Sequence, residues 1–328
     1  MYLDGPGGVI HQLLSIRAAL ERAGHQVTLF DQWNTSEVRS YPIFHLFVAS
    51  GDTLELGKRM RLAGLKLVVS PIIDKAIPEW IIRVSNEVVT RIPKVYTHLG
   101  AASLLCKLAD MSIARSEEEV GKLTVALGVP RAKVAMVYNG VDMKFANAKP
   151  DLFVKKYHMQ DFLLAVGLIG NPNKNFLRLI RIANEIKVPT VLVGPIQNTD
   201  YARACMKAAE ASRYVEVLGP ISEEELISAY AAANTLALPS IIEGTGLVAL
   251  EAGLAGAKVV ITQNGGTKDY FANYVDYVDP RSDVSIRTGI LRALEQPKGE
   301  RLKLHIAKHF TWDAVAIQQV TAYEKALA

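Results

Sequence analysis

Two cysteines in 328 residues leave little room for a covalent or metal-bound scaffold. Cys106 and Cys205 stand far apart and in no metal-like spacing, so both read as reduced, buried thiols. Long apolar runs are missing too: none approaches the roughly 18 residues that a spanning helix needs. The opening MYLDGPGGV has neither the basic n-region nor the apolar h-region of a secretory signal. Repeats and low-complexity tracts are absent. These absences predict a soluble, cytoplasmic chain, either free or peripheral at the inner membrane surface.

Charge of one sign is also scarce. The net charge of +4 sits in the first 150 residues, which hold 18 Lys+Arg against 14 Asp+Glu, while the remainder holds 19 of each. An excess so small and dispersed excludes a nucleic-acid footprint, which needs clustered basic residues and a reading element. It suits an acidic substrate or an anionic surface.

What is present is an alternation of short β-rich runs with helical periodicity. VTLF (27–30), LKLVVS (65–70), VAMVYN (134–139), FLLAVGL (162–168), TVLVG (190–194), VEVLG (215–219), TLALPS (235–240) and KVVIT (258–262) are apolar without clean alternation. That pattern predicts parallel strands buried on both faces. Between them, Val9, Leu13, Ile16 and Leu20 make one helical stripe that Gly24 stops. Ser116 with Glu119, and Ser222 with Glu225, each fit a capping box, which assigns both glutamates to structure.

The length is about twice that of a usual domain, and NGVDMKFANAKPD (139–151) is the best linker. The expectation is an α/β protein of two Rossmann-like domains with mainly parallel sheets: 1–145, 146–310, and a closing helix 311–328 packing back toward the first. Only MYLD precedes the Gly5-Pro6-Gly7-Gly8 loop, where a doubly wound domain normally opens with a full strand. Either that strand is abbreviated or a few native residues are missing.

The stretch SIIEGTGLVALEAGLAG (240–256) carries the chemistry. A turn at Gly244-Thr245-Gly246-Leu247, between a strand and an apolar helix, presents unpaired amides at a helix N-terminus, a place for phosphate or sugar oxygens. Glu243 could bind a ligand there or merely complement the helix dipole. Glu251, inside the apolar run LVALEAGLAGAKVV, is costly unless hydrogen-bonded or ligand-facing. Accepting from the two hydroxyls of a ribose would compensate it, as in dinucleotide folds.

From LGPISEEEL to NGGTKDYF (218–271) the sequence resembles the donor-binding half of the retaining GT-B glycosyltransferases of the glycosyl-transferase group 1 family, with an E-x7-E motif at Glu243 and Glu251. Similar likenesses lie at residues 5–30, 114–142 and 310–327; residues 35–100 are unmatched.

The resemblance implies an enzyme that moves a sugar from a nucleoside-diphosphate sugar to an unidentified acceptor hydroxyl, with two Rossmann-like domains facing across a cleft. It implies Glu251 on the ribose, Glu243 on the donor sugar, and the backbone of Thr245, Gly246, Leu247 and Val248 on the sugar and diphosphate. Lys174, in GLIGNPNKN, would neutralise the diphosphate, and Gly7 and Gly8 would close on it from the other domain. The base would lie near Gly219, Pro220 and Ile221, with Leu226 beneath. Lys174 and Glu243 are thus the catalytic candidates, although Lys174 could also be a solvated loop lysine. Front-face attack, with the departing phosphate taking the acceptor's proton, needs no protein base and makes neither glutamate a nucleophile. No cofactor is implied, and no metal, because Lys174 and helix dipoles take the cation's place.

Two departures stand out. Leu168 follows Gly167 where the family usually has an arginine, a place that Arg178 or another basic residue could take. The stretch VVSPIIDKA lacks a histidine that many members carry; His98 could replace it or simply pack, and Asp74 reads as a turn residue. Asn264-Gly265-Gly266-Thr267, with Asp269 where glutamate is usual, is either a donor-contacting loop or an ordinary turn. These departures keep a catalytically silent nucleotide-sugar-binding subunit open, beside a GT-B nucleotide-sugar epimerase. A dehydrogenase ranks below both, because no G-x-G-x-x-G follows a strand.

Overall fold

The computed structural model describes residues 8–73 and 98–328. They form two compact units: one runs to Gly140 and takes in Trp312–Ala328, the other is Val141–Thr311.

The described residues of the first unit hold four parallel strands, β1 (Ile43–Phe47), β2 (Lys66–Ser70), β3 (Met111–Ala114) and β4 (Val134–Met136), in that spatial order. Helix α1 (Gly8–Arg22) buries Ile16, Ala19 and Leu20 with Val68, Met111 and Ile113, and the closing helix Trp312–Leu327 adds Trp312, Val315 and Ala316 to the same cluster. Gly24, at φ +89°, ends α1 as the pattern predicts, because an L side chain resists that region. A second cluster gathers Leu67 and Val69 of β2 with residues of α2 (Gly51–Leu62) and α3 (His98–Leu108). Strands so covered explain the continuous apolar runs.

Two expectations change here. VTLF (27–30) is no strand in the described structure: its residues join no sheet ladder. Side-chain pattern shows that a segment could be extended, but only a neighbour's backbone makes it a strand. The second change concerns Glu119. Ser116 does cap α4 (Glu117–Gly121) by accepting from the Glu119 amide at 3.2 Å, but the Glu119 carboxylate turns elsewhere. It accepts from the amides of Ile73 (2.9 Å) and Arg115 (2.8 Å) and from the Arg115 guanidinium (3.1 Å). A buried carboxylate needs several donors at once, and the Ser116 amide alone would not supply them.

The second unit has six parallel strands. They are β5 (Leu163–Val166), β6 (Thr190–Val193), β7 (Val215–Gly219), β8 (Thr235–Leu238), β9 (Lys258–Thr262) and β10 (Asp276–Val278). Helices α5 (Asp151–Tyr157), α6 (Phe176–Ile186), α7 (Asp200–Glu210), α8 (Glu223–Ala232), α9 (Leu247–Leu254), α10 (Thr267–Phe271), α11 (Asp283–Glu295) and α12 (Arg301–His309) interleave with them. The spatial order β10-β9-β8-β5-β6-β7 is the doubly wound 3-2-1-4-5-6 arrangement when counted from β5. Such a sheet has a switch point between its first and fourth strands, here β5 and β8, where ligands bind beyond the carboxyl ends. Ser222 and Glu225 make the full capping box on α8.

Candidate functional site

Two loops leave the carboxyl ends of β5 and β8 at this switch point, and asparagines sew them together. After β5 the chain makes one 3-10 turn, Pro172–Lys174, capped by the Asn171 side chain, which accepts from the Asn173 amide at 3.0 Å. Asn173 then reaches the other loop three times. Its carbonyl accepts from the Ile241 amide (2.8 Å), its Oδ1 from the Ile242 amide (3.2 Å), and its Nδ2 donates to the Ile242 carbonyl (3.0 Å). Asn175, buried and at φ +60°, donates to the carbonyls of Pro239 (3.0 Å) and Pro280 (2.8 Å). Asparagine tolerates that backbone region better than most residues.

This stitching brings Lys174 to Glu243. Nζ lies 3.0 Å from Oε2 and 3.3 Å from Oε1, with side-chain exposures of 19% and 15%. Neither is a freely solvated surface charge.

The backbone of Glu243 is gripped from a third loop, the one after β9. Its amide donates to the Asn264 carbonyl and its carbonyl accepts from Gly266, both at 3.1 Å. Gly265 sits between at φ +99°, and a Cβ there would fall 2.1 Å from the Glu243 carbonyl oxygen. The Asn264–Gly266 segment is therefore a brace for Glu243.

Thr245 is buried and Gly246, at φ +78°, turns the chain into α9. The Gly246 carbonyl accepts from Ala249 (2.8 Å) and Leu250 (3.0 Å). The first-turn amides of Leu247 and Val248 have no acceptor within the helix, as at any helix start. Glu251 follows one turn later, half-buried, and accepts a hydrogen bond from the Tyr230 hydroxyl at 2.7 Å. Burial pushes its carboxyl up to about 7, against the pull of Tyr230 and of nearby Lys144.

At the end of β7, Gly219 takes φ +70° and its carbonyl accepts from Gly194 at 2.9 Å. Pro220 is exposed, and Ile221 and Leu226 are partly buried. Leu226 and Tyr230 stand four apart on α8, hence on one face, which links this shelf to the Glu251 partner. Tyr230, Asn173 and Asn175 escape a sequence reading. The cue for Tyr230 is that a buried tyrosine hydroxyl needs a partner.

The remaining candidates lie elsewhere. Gly8 begins α1 in the first unit and His98 begins α3; Gly7 and Asp74 fall outside the described residues. Arg178 pairs with Asp283, Nε 2.7 Å from Oδ1, and donates to the Pro280 carbonyl. Among the described residues, no three of His, Cys, Asp and Glu are grouped to hold a metal ion, and no helix is long and apolar enough to cross a membrane.

Residues 153–308 match the glycosyl transferases group 1 family model. That match lies wholly within the second unit. Curated relatives include an uncharacterised glycosyltransferase of Methanocaldococcus jannaschii, 26% identical over 68% of this chain and 60% of its own length. The O-antigen chain mannosyltransferase B of Escherichia coli is 26% identical over 52% of this chain and 48% of its own. A D-inositol 3-phosphate glycosyltransferase of Kribbella flavida is 26% identical over 72% and 61%. The aligned stretches thus span about half to three-fifths of these relatives.

Among solved structures, Anabaena HepE in complex with UDP superposes with a TM-score of 0.75 at 19% identity, covering 98% of this chain and 97% of that one. Sucrose-phosphate synthase from Thermosynechococcus elongatus gives 0.73 at 18%, covering 97% and 93%. The fold is GT-B.

Proposed function

We propose that this chain is a retaining, metal-independent glycosyltransferase that moves a sugar from a nucleoside-diphosphate sugar to an acceptor hydroxyl. The observation that carries it is the convergence of Lys174, Glu243 and the α9 N-terminus at the switch point of the second sheet. HepE, which shares the fold, has been solved with UDP and with UDP-glucose, which favours UDP as the first nucleotide to try.

The diphosphate lies on the amides at the start of α9, the ribose hydroxyls on Glu251, and the base on the shelf from Gly219 to Ile221 over Leu226. Donor binding draws the Lys174 ammonium from Glu243 to the diphosphate and frees the Glu243 carboxylate for the sugar's hydroxyls. As the glycosidic bond breaks, negative charge grows on the leaving phosphate, and the ammonium and the fixed amide dipoles stabilise it most in the transition state. The acceptor's proton passes to the departing phosphate oxygen. Acceptor selection falls to the first unit, in a cytoplasmic protein either free or peripheral at the membrane.

Leu168, together with the engagement of Arg178 at Asp283, favours one second reading: a donor-binding subunit without transferase activity. Incubation with UDP-, GDP- and ADP-sugars and simple sugar or lipid acceptors separates the two. The enzyme releases nucleoside diphosphate and yields a product whose anomeric configuration, read by NMR, is that of the donor; the silent subunit binds donor and releases nothing.

A further inference from the structure

The Tyr230 ring is fully buried on α8, yet its hydroxyl is 2.7 Å from Oε2 of Glu251 on α9. The ring is gripped in turn, edge to face, by Phe145 at 5.8 Å between centroids. A phenol in apolar surroundings holds its proton, and burial together with the adjacent carboxylate raises the Tyr230 hydroxyl well above its usual range. The hydroxyl is therefore the donor and Glu251 the acceptor. Only the Tyr230 hydroxyl donates a hydrogen bond to this carboxylate within the described structure, leaving Oε1 for a ligand.

We infer that Tyr230 is a positioning residue of the donor site: it fixes the Glu251 carboxylate so that its other oxygen can accept from the vicinal hydroxyls of a nucleoside ribose. The inference rests on the proposed donor-binding role of Glu251 and adds the group that makes the role workable. A half-buried carboxylate without a donor would take up a proton, and a protonated carboxyl is a poor acceptor for two hydroxyls. The other charges that bear on Glu251 are Lys144, which favours ionisation, and Glu223, which opposes it; these two pair with each other across the entrance of α8. They act on the carboxylate from a distance and cannot set its rotamer, whereas the Tyr230 hydrogen bond can.

The test is calorimetric binding of UDP, GDP and ADP, and of the 2′-deoxy form of whichever binds, to wild type, Tyr230→Phe and Glu251→Ala, from pH 6 to pH 9. Melting curves of each variant show that it is folded. Tyr230→Phe is expected to weaken binding at pH 7 by about tenfold, the worth of a hydrogen bond to a charged group. The deficit should shrink toward pH 9, where the carboxylate ionises without help, and should nearly vanish for the 2′-deoxy nucleotide. A merely structural tyrosine would cost both ligands equally and independently of pH. Equal affinity of wild type and Tyr230→Phe across the range, with Glu251→Ala impaired, overturns the positioning role alone. Should Glu251→Ala bind as tightly as wild type, the donor-site reading fails and Tyr230 loses its role with it.

Discussion

The Lys174 ammonium sits 3.0 Å from a carboxylate oxygen of Glu243, a residue 69 positions away. Each therefore satisfies the other until a ligand arrives, and the free site carries no unbalanced charge from the pair. Removing one partner has two separable consequences. Lys174→Ala should lower the transfer rate by roughly 10²–10³, the range for loss of one preorganised stabiliser of transition-state charge, with a smaller effect on donor affinity. Steady-state kinetics with the cognate donor checks the split between kcat and KM.

Glu251 ties function to pH. With its carboxyl near 7 in the folded protein, the carboxylate form that accepts from ribose fills in as pH rises through neutrality, and nucleotide affinity should climb from pH 6 to pH 8. Stability runs the other way. A carboxyl raised above its unfolded value binds its proton more tightly in the native state, so native stability from this residue is present at low pH and lost between about pH 4.5 and pH 7. Glu251→Gln should therefore melt higher than wild type at pH 8, with the gap closing toward pH 4.5, while nucleotide affinity drops.

Gly265 holds Glu243 from behind. A methyl group there would meet the Glu243 carbonyl at 2.1 Å in a backbone region unsuited to L residues, so Gly265→Ala should cost at least about 1 kcal/mol of stability. The displaced Glu243 should weaken the nucleotide sugar more than the bare nucleoside diphosphate, which titration of both ligands would show.

Leu168 occupies the place where the resemblance expects a second cation, and Arg178 is bound to Asp283. Leu168→Arg should tighten nucleoside-diphosphate binding, with a steeper fall of affinity as salt is raised. Unchanged affinity and salt dependence would mean that the side chain at 168 does not face the phosphates.

Glu119 anchors the first unit. Its carboxylate holds the Ile73 amide and the Arg115 guanidinium in a buried setting, where the arginine's charge keeps its pKa below the ordinary value despite burial. Glu119→Ala breaks a buried ion pair and removes the acceptor of the Ile73 and Arg115 amides, and should destabilise the protein by about 3–5 kcal/mol, measurable by chemical denaturation.

Local patterns made much of the second unit legible. β5 to β9 fall on the apolar runs, and the turn before α9 announces itself through Gly244 and Gly246. β1 escapes because His45 interrupts IFHLF; in the fold that ring is satisfied by the Tyr323 hydroxyl (2.8 Å) and Ser70 (2.9 Å), and burial lowers its pKa to about 3, keeping it neutral. β3 and β10, four and three residues long, are too short for a period to show. The site's stitching was illegible for a different reason. Asn173 with Ile242 and Gly265 with Glu243 are contacts between loops, and Tyr230 with Glu251 a contact between two helices; no spacing in the sequence encodes which polar group answers which.

Binding of a nucleotide sugar by the second unit through Glu251 can be read from a thermal-shift panel of UDP, GDP and ADP with their common sugar conjugates. A ligand at 100 times its Kd stabilises the native state by about 2.7 kcal/mol. One nucleotide family should raise the melting temperature of wild type, and Glu251→Ala should lose the response. No shift with any nucleotide, or the same shift in both proteins, would contradict it.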